Sequence, residues 1–478
     1  MNVLHINTSQ QGGAALCALR ISNALRECGI NTCFLSSTGD NSKYINVIPE
    51  DTYKWSKYLV IRFVQKCKYF IKPHESRLFK LKRLNALRQQ KNNVFATLPC
   101  NNYKNLINHP WVKEADIIHL HWIANFVDLK SFFKYVKKPV VWTLHDQNPL
   151  MGCFHYRKSY ENANIELLKL DKKCIKYKQK ALKNFSNLNI VAISKSMEEQ
   201  ISNNILLNKY KCTLINNAVD IHKFIHIDKI NLKNELKLSI YNTIFLFSAY
   251  SIHDKNKGLK ELISALEILK IENSILICIG NHYNEIPKTN INIKCIGFIN
   301  NENELSKYYS VSDFFVMPSY QESFGQTTTE SLSCGTPVIA FKTGIAADII
   351  NDKLGVLCKG CTSDALVDAI KIALKRKYNS NIIRKYIVDN FSNEIISQKY
   401  INLYKEILLK NNTKESNDIF STFDEDFYKQ QKKQKKQVQQ DNGILDYLDQ
   451  RRYFYKMIIT HPRYIAGWLK KKVIRLFK

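Results

Sequence analysis

The chain is 478 residues long, 45% hydrophobic and 24% charged, with 71 Lys/Arg against 42 Asp/Glu and a net charge of +29. This balance excludes a disordered chain, and the length exceeds what one hydrophobic core usually fills, so two domains are expected. The longest apolar runs, such as Thr243–Phe247, fall far short of the ~20 residues of a membrane-spanning helix. The opening Met-Asn-Val-Leu-His-Ile-Asn has no basic segment leading into an apolar run, so no signal peptide is expected and any membrane contact is peripheral, from the cytoplasmic side.

In chain order, Val3–Asn7 reads as a strand and leads into Gly12-Gly13. A helical pattern follows through Leu16, Leu19, Ile21 and Leu25 and ends near Gly29, before Cys33–Ser36 resumes as a strand. This strand–glycine turn–helix–strand unit opens a parallel α/β domain. Ile117–Leu120, Val140–Leu144 and Ile190–Ile193 are short apolar runs bounded by polar residues, as buried parallel strands are. After a charged stretch at 228–237 the pattern restarts with Ile244–Phe247, Ile275–Ile279, Ile293–Ile296, Phe314–Val316 and Val338–Ala340, and Leu259–Lys270 is helical. Asn393–Leu409 is amphipathic, with Ile396, Tyr400, Leu403, Ile407 and Leu408 near one face. Thirteen cysteines, scattered singly, fit reduced buried thiols; Cys358 and Cys361 form a C-x-x-C without two further ligands at zinc spacing.

The most informative stretch runs from Pro318 to Val338 and contains Glu322-Ser323-Phe324-Gly325, Glu330 and Gly335-Thr336-Pro337. It follows a strand, and its second half reads as a helix. Free amides at that helix start, with Gly325 permitting close approach, suit an anion, and carboxylates beside it suit sugar hydroxyls. A purely structural reading has Glu322 capping the helix and Glu330 solvated on its surface. Lys255 and Lys257, beside Gly258 in a turn after a strand, could neutralise a phosphate. Gly12 and Gly13 leave amides free but lack G-x-G-x-x-G, so dinucleotide binding is not indicated. His145 ends a strand and faces the crevice expected there. His119, His121 and His155 could be read as metal ligands, but H-x-H beside an apolar strand is more often packing, and no D-x-D follows a strand; no metal is expected.

The run E-S-F-G…E…G-T-P-V, with Glu322 and Glu330 eight apart, resembles the donor-site signature of glycosyltransferase family 4, whose members have the GT-B fold and retain anomeric configuration. The resemblance spans residues 1 to about 410, and His-Leu-His-Trp with Trp-Thr-Leu-His-Asp looks most like the colanic-acid and exopolysaccharide type. It implies an α/β chain of two Rossmann-like domains with an interdomain cleft: 1–205 as the acceptor domain with a basic insertion at 54–91, 206–235 as linker, 236–392 as the nucleotide-sugar domain, and 393–410 as a helix returning to the first domain. It also implies that Glu330 binds the nucleotide ribose, that Glu322 contacts the donor sugar with Ser323, Phe324 and Gly325, that Lys257 and Lys255 meet the diphosphate, that Gly12-Gly13 faces it, and that His145 serves the transferred sugar or the acceptor. The family's turn often carries an Arg; this chain has none there, and Lys255 is the substitute. Asn216-Asn217-Ala218-Val219-Asp220 departs from the family's Pro-Asn-Gly-Val-Asp hinge at two positions. The implied function is sugar transfer from a nucleotide-sugar to a glycan or lipid-linked glycan in cell-surface polysaccharide or lipopolysaccharide synthesis, without cofactor. A sugar-nucleotide epimerase or a phosphorylase fits the motif less well; a catalytically degenerate GT-B adaptor at the membrane is the alternative.

Between Lys54 and Lys91 there are twelve Lys/Arg and one acid, Glu75; from Arg451 to Lys478 there are nine and no acid. Both stretches interleave aromatic residues, as helices lying on anionic lipid do. The polar stretch 411–441 reads as a linker and 442–478 as a basic, aromatic, amphipathic tail. Nucleic acid would suit the same composition, but the resemblance favours the inner face of the plasma membrane.

Overall fold

The computed structural model describes residues 1–48, 94–99, 104–281 and 289–410. The basic stretch 54–91, the linker at 411–441 and the tail at 442–478 lie outside the described residues. The described residues fall in one compact unit, Met1–Asp418. It holds two sheets. The first comprises β1 (Asn2–Ile6), β2 (Asn31–Ser36), β3 (Ile45–Val47), β4 (Ile117–Leu120), β5 (Val140–Leu144), β6 (Leu188–Ala192) and β7 (Lys211–Leu214), in the order β3-β2-β1-β4-β5-β6-β7. The second comprises β8 (Thr243–Ser251), β9 (Ser274–Asn281), β10 (Ile293–Gly297), β11 (Phe314–Met317), β12 (Val338–Ala340) and β13 (Gly355–Leu357), in the order β10-β9-β8-β11-β12-β13. All pairings between these strands are parallel.

Parallel strands need crossover helices that cover both faces, so their residues are buried on both sides and read as continuous apolar runs. β5 (Val-Val-Trp-Thr-Leu) is buried throughout, and so is β11. In each sheet the strand order reverses beside its first strand, between β1 and β4 and between β8 and β11. Loops leaving the carboxyl ends of those pairs diverge there and open a crevice. Each domain therefore has its own switch point.

The segment 206–235 is only partly a linker. β7 pairs with β6 as an edge of the first sheet, and the helix Lys229–Glu235 places Leu232 in the core of the second domain. The crossing proper lies between Leu214 and Lys229. The helix Asn393–Lys410 crosses back: Ile396, Tyr400, Leu403, Tyr404 and Ile407 pack on Val3, Ile21, Leu25, Ile117, Val141 and Val191. At ~1.5–3 kcal/mol for each large apolar side chain, this contact contributes on the order of 10 kcal/mol before ordering entropy. The two crossings run side by side, with Val219 bridging Ser392 and its N–H donating to Phe391 O at 2.9 Å. Among the described residues no helix is long and apolar enough to cross a membrane.

Candidate active site

At the switch point of the second domain two loops are stitched together. The loop after β8 makes a short 3-10 turn, Lys255–Lys257, closed by Gly258 in the left-handed region at φ 72°. A Cβ on Gly258 would collide with Pro318 O, so glycine is what lets the loop after β11 lie against this turn. Asn256 accepts on its carbonyl from Tyr320 N–H (2.9 Å) and donates from Nδ2 to Gln321 O (2.9 Å). This brings Lys257 Nζ to 2.6 Å from Glu322 Oε1, with side chains 28% and 15% exposed, so the pair is reachable from solvent. Burial alone would lower the Lys257 ammonium, but the carboxylate of Glu322 outweighs it and the net direction is upward: Lys257 stays charged. Lys255 projects from the same turn and is exposed.

The loop then turns at Gly325 (φ 86°) into the helix Gln326–Ser333. Phe324 is buried as an anchor, its carbonyl accepting from Ile345 N–H at 2.6 Å, and Ser323 O accepts from Ser194 Oγ of the first domain at 3.0 Å. Neither half of the purely structural reading holds: no side chain caps this helix, and Glu330 is buried. Its Oε2 accepts from Tyr309 Oη at 3.3 Å, and its Oε1 lies 3.6 Å from Arg20, a residue of the first domain. Arg20 also pairs with Glu302, which Lys223 holds from the other side at 2.7 Å. Burial pushes the Glu330 carboxyl up and Arg20 pulls against it; for Glu302 burial is overcome by Arg20 and Lys223, and the net direction is down. A buried carboxylate held beside a guanidinium can accept from neutral hydroxyls without drawing in a cation.

From the first domain, Gly12 (φ 92°) precedes the helix Gly13–Glu27 and both glycines are exposed, which leaves the amides of that helix start open. The sequence reading missed Arg20, two helical turns beyond them. Its partners lie 282 and 310 residues away in sequence, so no local pattern marks it.

His145 follows β5 and is half-buried. Burial pulls its pKa down to about 4 against the opposing charge of Asp146, so it is a neutral imidazole at ordinary pH. Asp146 is hydrogen-bonded to other groups. Its Oδ2 accepts from Trp122 Nε1 (2.6 Å) and pairs with His155 Nδ1 (2.6 Å), and its Oδ1 accepts from Asn148 N–H (2.9 Å). His155 is thereby a buried structural tie, with Thr97 on its other nitrogen at 2.8 Å. His5, His119 and His121 gather with one ring nitrogen each within 4.8 Å of the others, the one grouping of metal-ligand type among the described residues. Five of their six ring nitrogens are hydrogen-bonded, His119 to Tyr404 Oη and Thr143 Oγ1 (both 2.7 Å) and His121 to His5 Nδ1 (2.9 Å) and His145 (3.0 Å), and Nε2 of His5 alone has no partner. A metal ion would have to break this network.

The two sides meet. Gln321 Nε2 donates to Gln147 Oε1 of the first domain at 2.7 Å, two residues beyond His145. Gln326 Nε2 donates to Ala218 O in the crossing segment at 2.8 Å. The arrangement is a paired Lys257–Glu322 at one loop, a buried carboxylate at Glu330, an open helix start at Gly12-Gly13 and a neutral imidazole at His145.

Residues 233–389 match the family model for glycosyl transferases group 1. CapM of Staphylococcus aureus, a capsular polysaccharide biosynthesis glycosyltransferase, is 24% identical over 342 residues, covering 64% of this chain and 87% of CapM. Among solved structures, sucrose-phosphate synthase from Thermosynechococcus elongatus superposes with a TM-score of 0.60 at 16% identity, over 86% of this chain and 99% of that one. HepE of Anabaena, solved with UDP and glucose, superposes with a TM-score of 0.55 at 16% identity, over 84% of this chain and 99% of that one. Residues 233–389, which carry Lys257, Glu322 and Glu330, are thus similar to glycosyl transferases group 1, and the chain has the two parallel sheets of the GT-B fold.

Proposed function

We propose that this protein is a retaining glycosyltransferase of family 4 that moves a sugar from a nucleotide-sugar to a glycan or lipid-linked glycan in cell-surface polysaccharide synthesis. The observation that carries the reading is the Lys257–Glu322 pair at the β8/β11 switch point, on the loop that leads into the helix holding the buried Glu330. Lys257 and Glu322 satisfy each other. A nucleotide-sugar supplies each with a partner: the diphosphate takes the ammonium and the sugar hydroxyls take the carboxylate, while Glu330 accepts from the ribose. The diphosphate is the natural anion for the helix starts at Gln326 and Gly13.

In this reading the acceptor oxygen attacks C1 from the face that the diphosphate is leaving. The C1–O bond to phosphate breaks, the new C1–O bond forms, and the acceptor proton passes to a diphosphate oxygen. Lys257 and the backbone amides stabilise the charge growing on the leaving group, so the reaction needs no resident metal. His145 meets the transferred sugar. Lys255, exposed on the same turn, is a weaker diphosphate contact than Lys257. Similarity to CapM supports a surface polysaccharide as the product, and the basic stretches at 54–91 and 442–478 supply an anionic-membrane contact at the cytoplasmic face.

The test is a thermal-shift screen of the full chain against UDP, GDP, ADP and their sugars, with Glu330→Ala alongside. A selective shift that Glu330→Ala abolishes supports the donor site and names the base. No shift with any nucleotide, from a folded protein, turns the reading toward a degenerate GT-B adaptor.

A further inference from the structure

A chain of three imidazoles runs from the core of the first sheet to the cleft. His5 lies on β1, His121 just past β4 and His145 just past β5, on three neighbouring strands. Nδ1 of His5 meets Nε2 of His121 at 2.9 Å, and Nδ1 of His121 meets Nε2 of His145 at 3.0 Å. Burial holds all three neutral: His5 falls to about 3, His145 to about 4 and His121 well below its ordinary value. The charges nearest the ends, Arg26 toward His5 and Asp146 toward His145, leave that state unchanged, and the neighbouring His119 is neutral as well.

A neutral imidazole has one N–H and one lone pair, so such a chain has only two polarities. If the protons point inward, His145 donates from Nε2 to His121 and His121 from Nε2 to His5. The last N–H, on Nε2 of His5, is then a buried donor, and that atom has no partner. If they point outward, His5 donates from Nδ1 to His121 and His121 from Nδ1 to His145. What remains in the core is then a bare lone pair. Orphaned buried N–H groups are rarer in proteins than under-satisfied acceptors. The cleft end is indifferent, because water or a ligand pairs either form. The core end therefore sets the direction.

We infer that His5 and His121 are positioning residues that fix His145 in the Nδ1–H tautomer, so that His145 meets its ligand as a hydrogen-bond donor to oxygen and not as a base. That the ligand is a sugar nucleotide rests on the function proposed above; the tautomer does not. The consequence for the reaction is that the acceptor proton does not go to His145.

The experiment is 15N NMR of the full chain labelled at histidine side chains, without added nucleotide, with His145→Gln to assign the signals of His145. The expected result is a protonated Nδ1 and an unprotonated Nε2 on His145. The reverse tautomer in the wild-type protein overturns the proposal. In His5→Asp an acceptor-only carboxylate replaces the donor at the core end, and His145 should invert to Nε2–H. A folded His5→Asp protein with His145 unchanged overturns the transmission through His121. If His5→Asp does not fold, the wild-type tautomer decides. Zinc titrated into the same sample should leave the spectrum unchanged; signals of His5, His119 and His121 shifting together would mean a metal site and overturn the relay. Where the transferase reading holds, inversion removes a preorganised donor from the leaving group or sugar, and turnover falls by up to about 100-fold with nucleotide affinity retained. Failure of the nucleotide screen would leave the tautomer result standing.

Discussion

Arg20→Met tests whether the two domains are coupled through the buried carboxylate of Glu330. The side chains of Arg20 and Glu330 are both 10% exposed and 3.6 Å apart. Removing one partner of a buried ion pair costs about 3–5 kcal/mol, because the other charge is left unpaired. The low end applies here, since Glu302, the second carboxylate on Arg20, keeps Lys223 at 2.7 Å. About 3 kcal/mol, at ~2–4 °C per kcal/mol for a unit of domain size, predicts a fall in Tm of ~6–12 °C. The sign with pH follows from Glu330, whose carboxyl burial already pushes up. Without the guanidinium its folded-state pKa rises further above the unfolded value, so the folded variant gains protons as pH falls. The deficit is therefore largest above that raised pKa and shrinks on acidification. Differential scanning fluorimetry at about pH 5 and about pH 8, with the Arg20→Met/Glu330→Gln double variant, measures this. A loss under ~1 °C, or an equal loss at both pH values with no recovery in the double variant, would refute the coupling.

Two further predictions concern the same site. Gly258→Ala places a Cβ at φ 72° against Pro318 O and should destabilise the protein by about 2 kcal/mol or more, read from the urea midpoint; an unchanged midpoint would mean that the two loops are not wedged together. Under the proposed function Glu330 accepts from the ribose as a carboxylate, so calorimetric nucleotide affinity should weaken as pH falls through the raised pKa of Glu330, while Glu330→Gln, weaker throughout, should be flat; parallel profiles would remove Glu330 from the ribose contact.

Ten of the thirteen strands are visible in the sequence as apolar runs, and the three that are not lie at sheet edges. β3, β7 and β13 are each the outermost strand of a sheet and are only three or four residues long. An edge strand is covered on fewer sides, so Lys-Cys-Thr-Leu of β7 is half-exposed and carries no apolar signature. The domain crossing was read as beginning too early for the same reason.

The sequence by itself determined the alternation of buried strands and helices, the glycine turns, and the local spacing of Lys257, Glu322 and Glu330. Those are properties of short stretches, governed by burial periodicity and by backbone conformations that only certain residues adopt. Only the tertiary structure decided that Lys257 and Glu322 are paired and reachable, that Glu330 is buried with Arg20 and Tyr309, and that His5, His121 and His145 form one hydrogen-bonded line. Each of these joins residues from different strands or from both domains. The direction of a buried charge or proton depends on which partners the chain's return paths bring within a few ångströms, and no local window of sequence contains them.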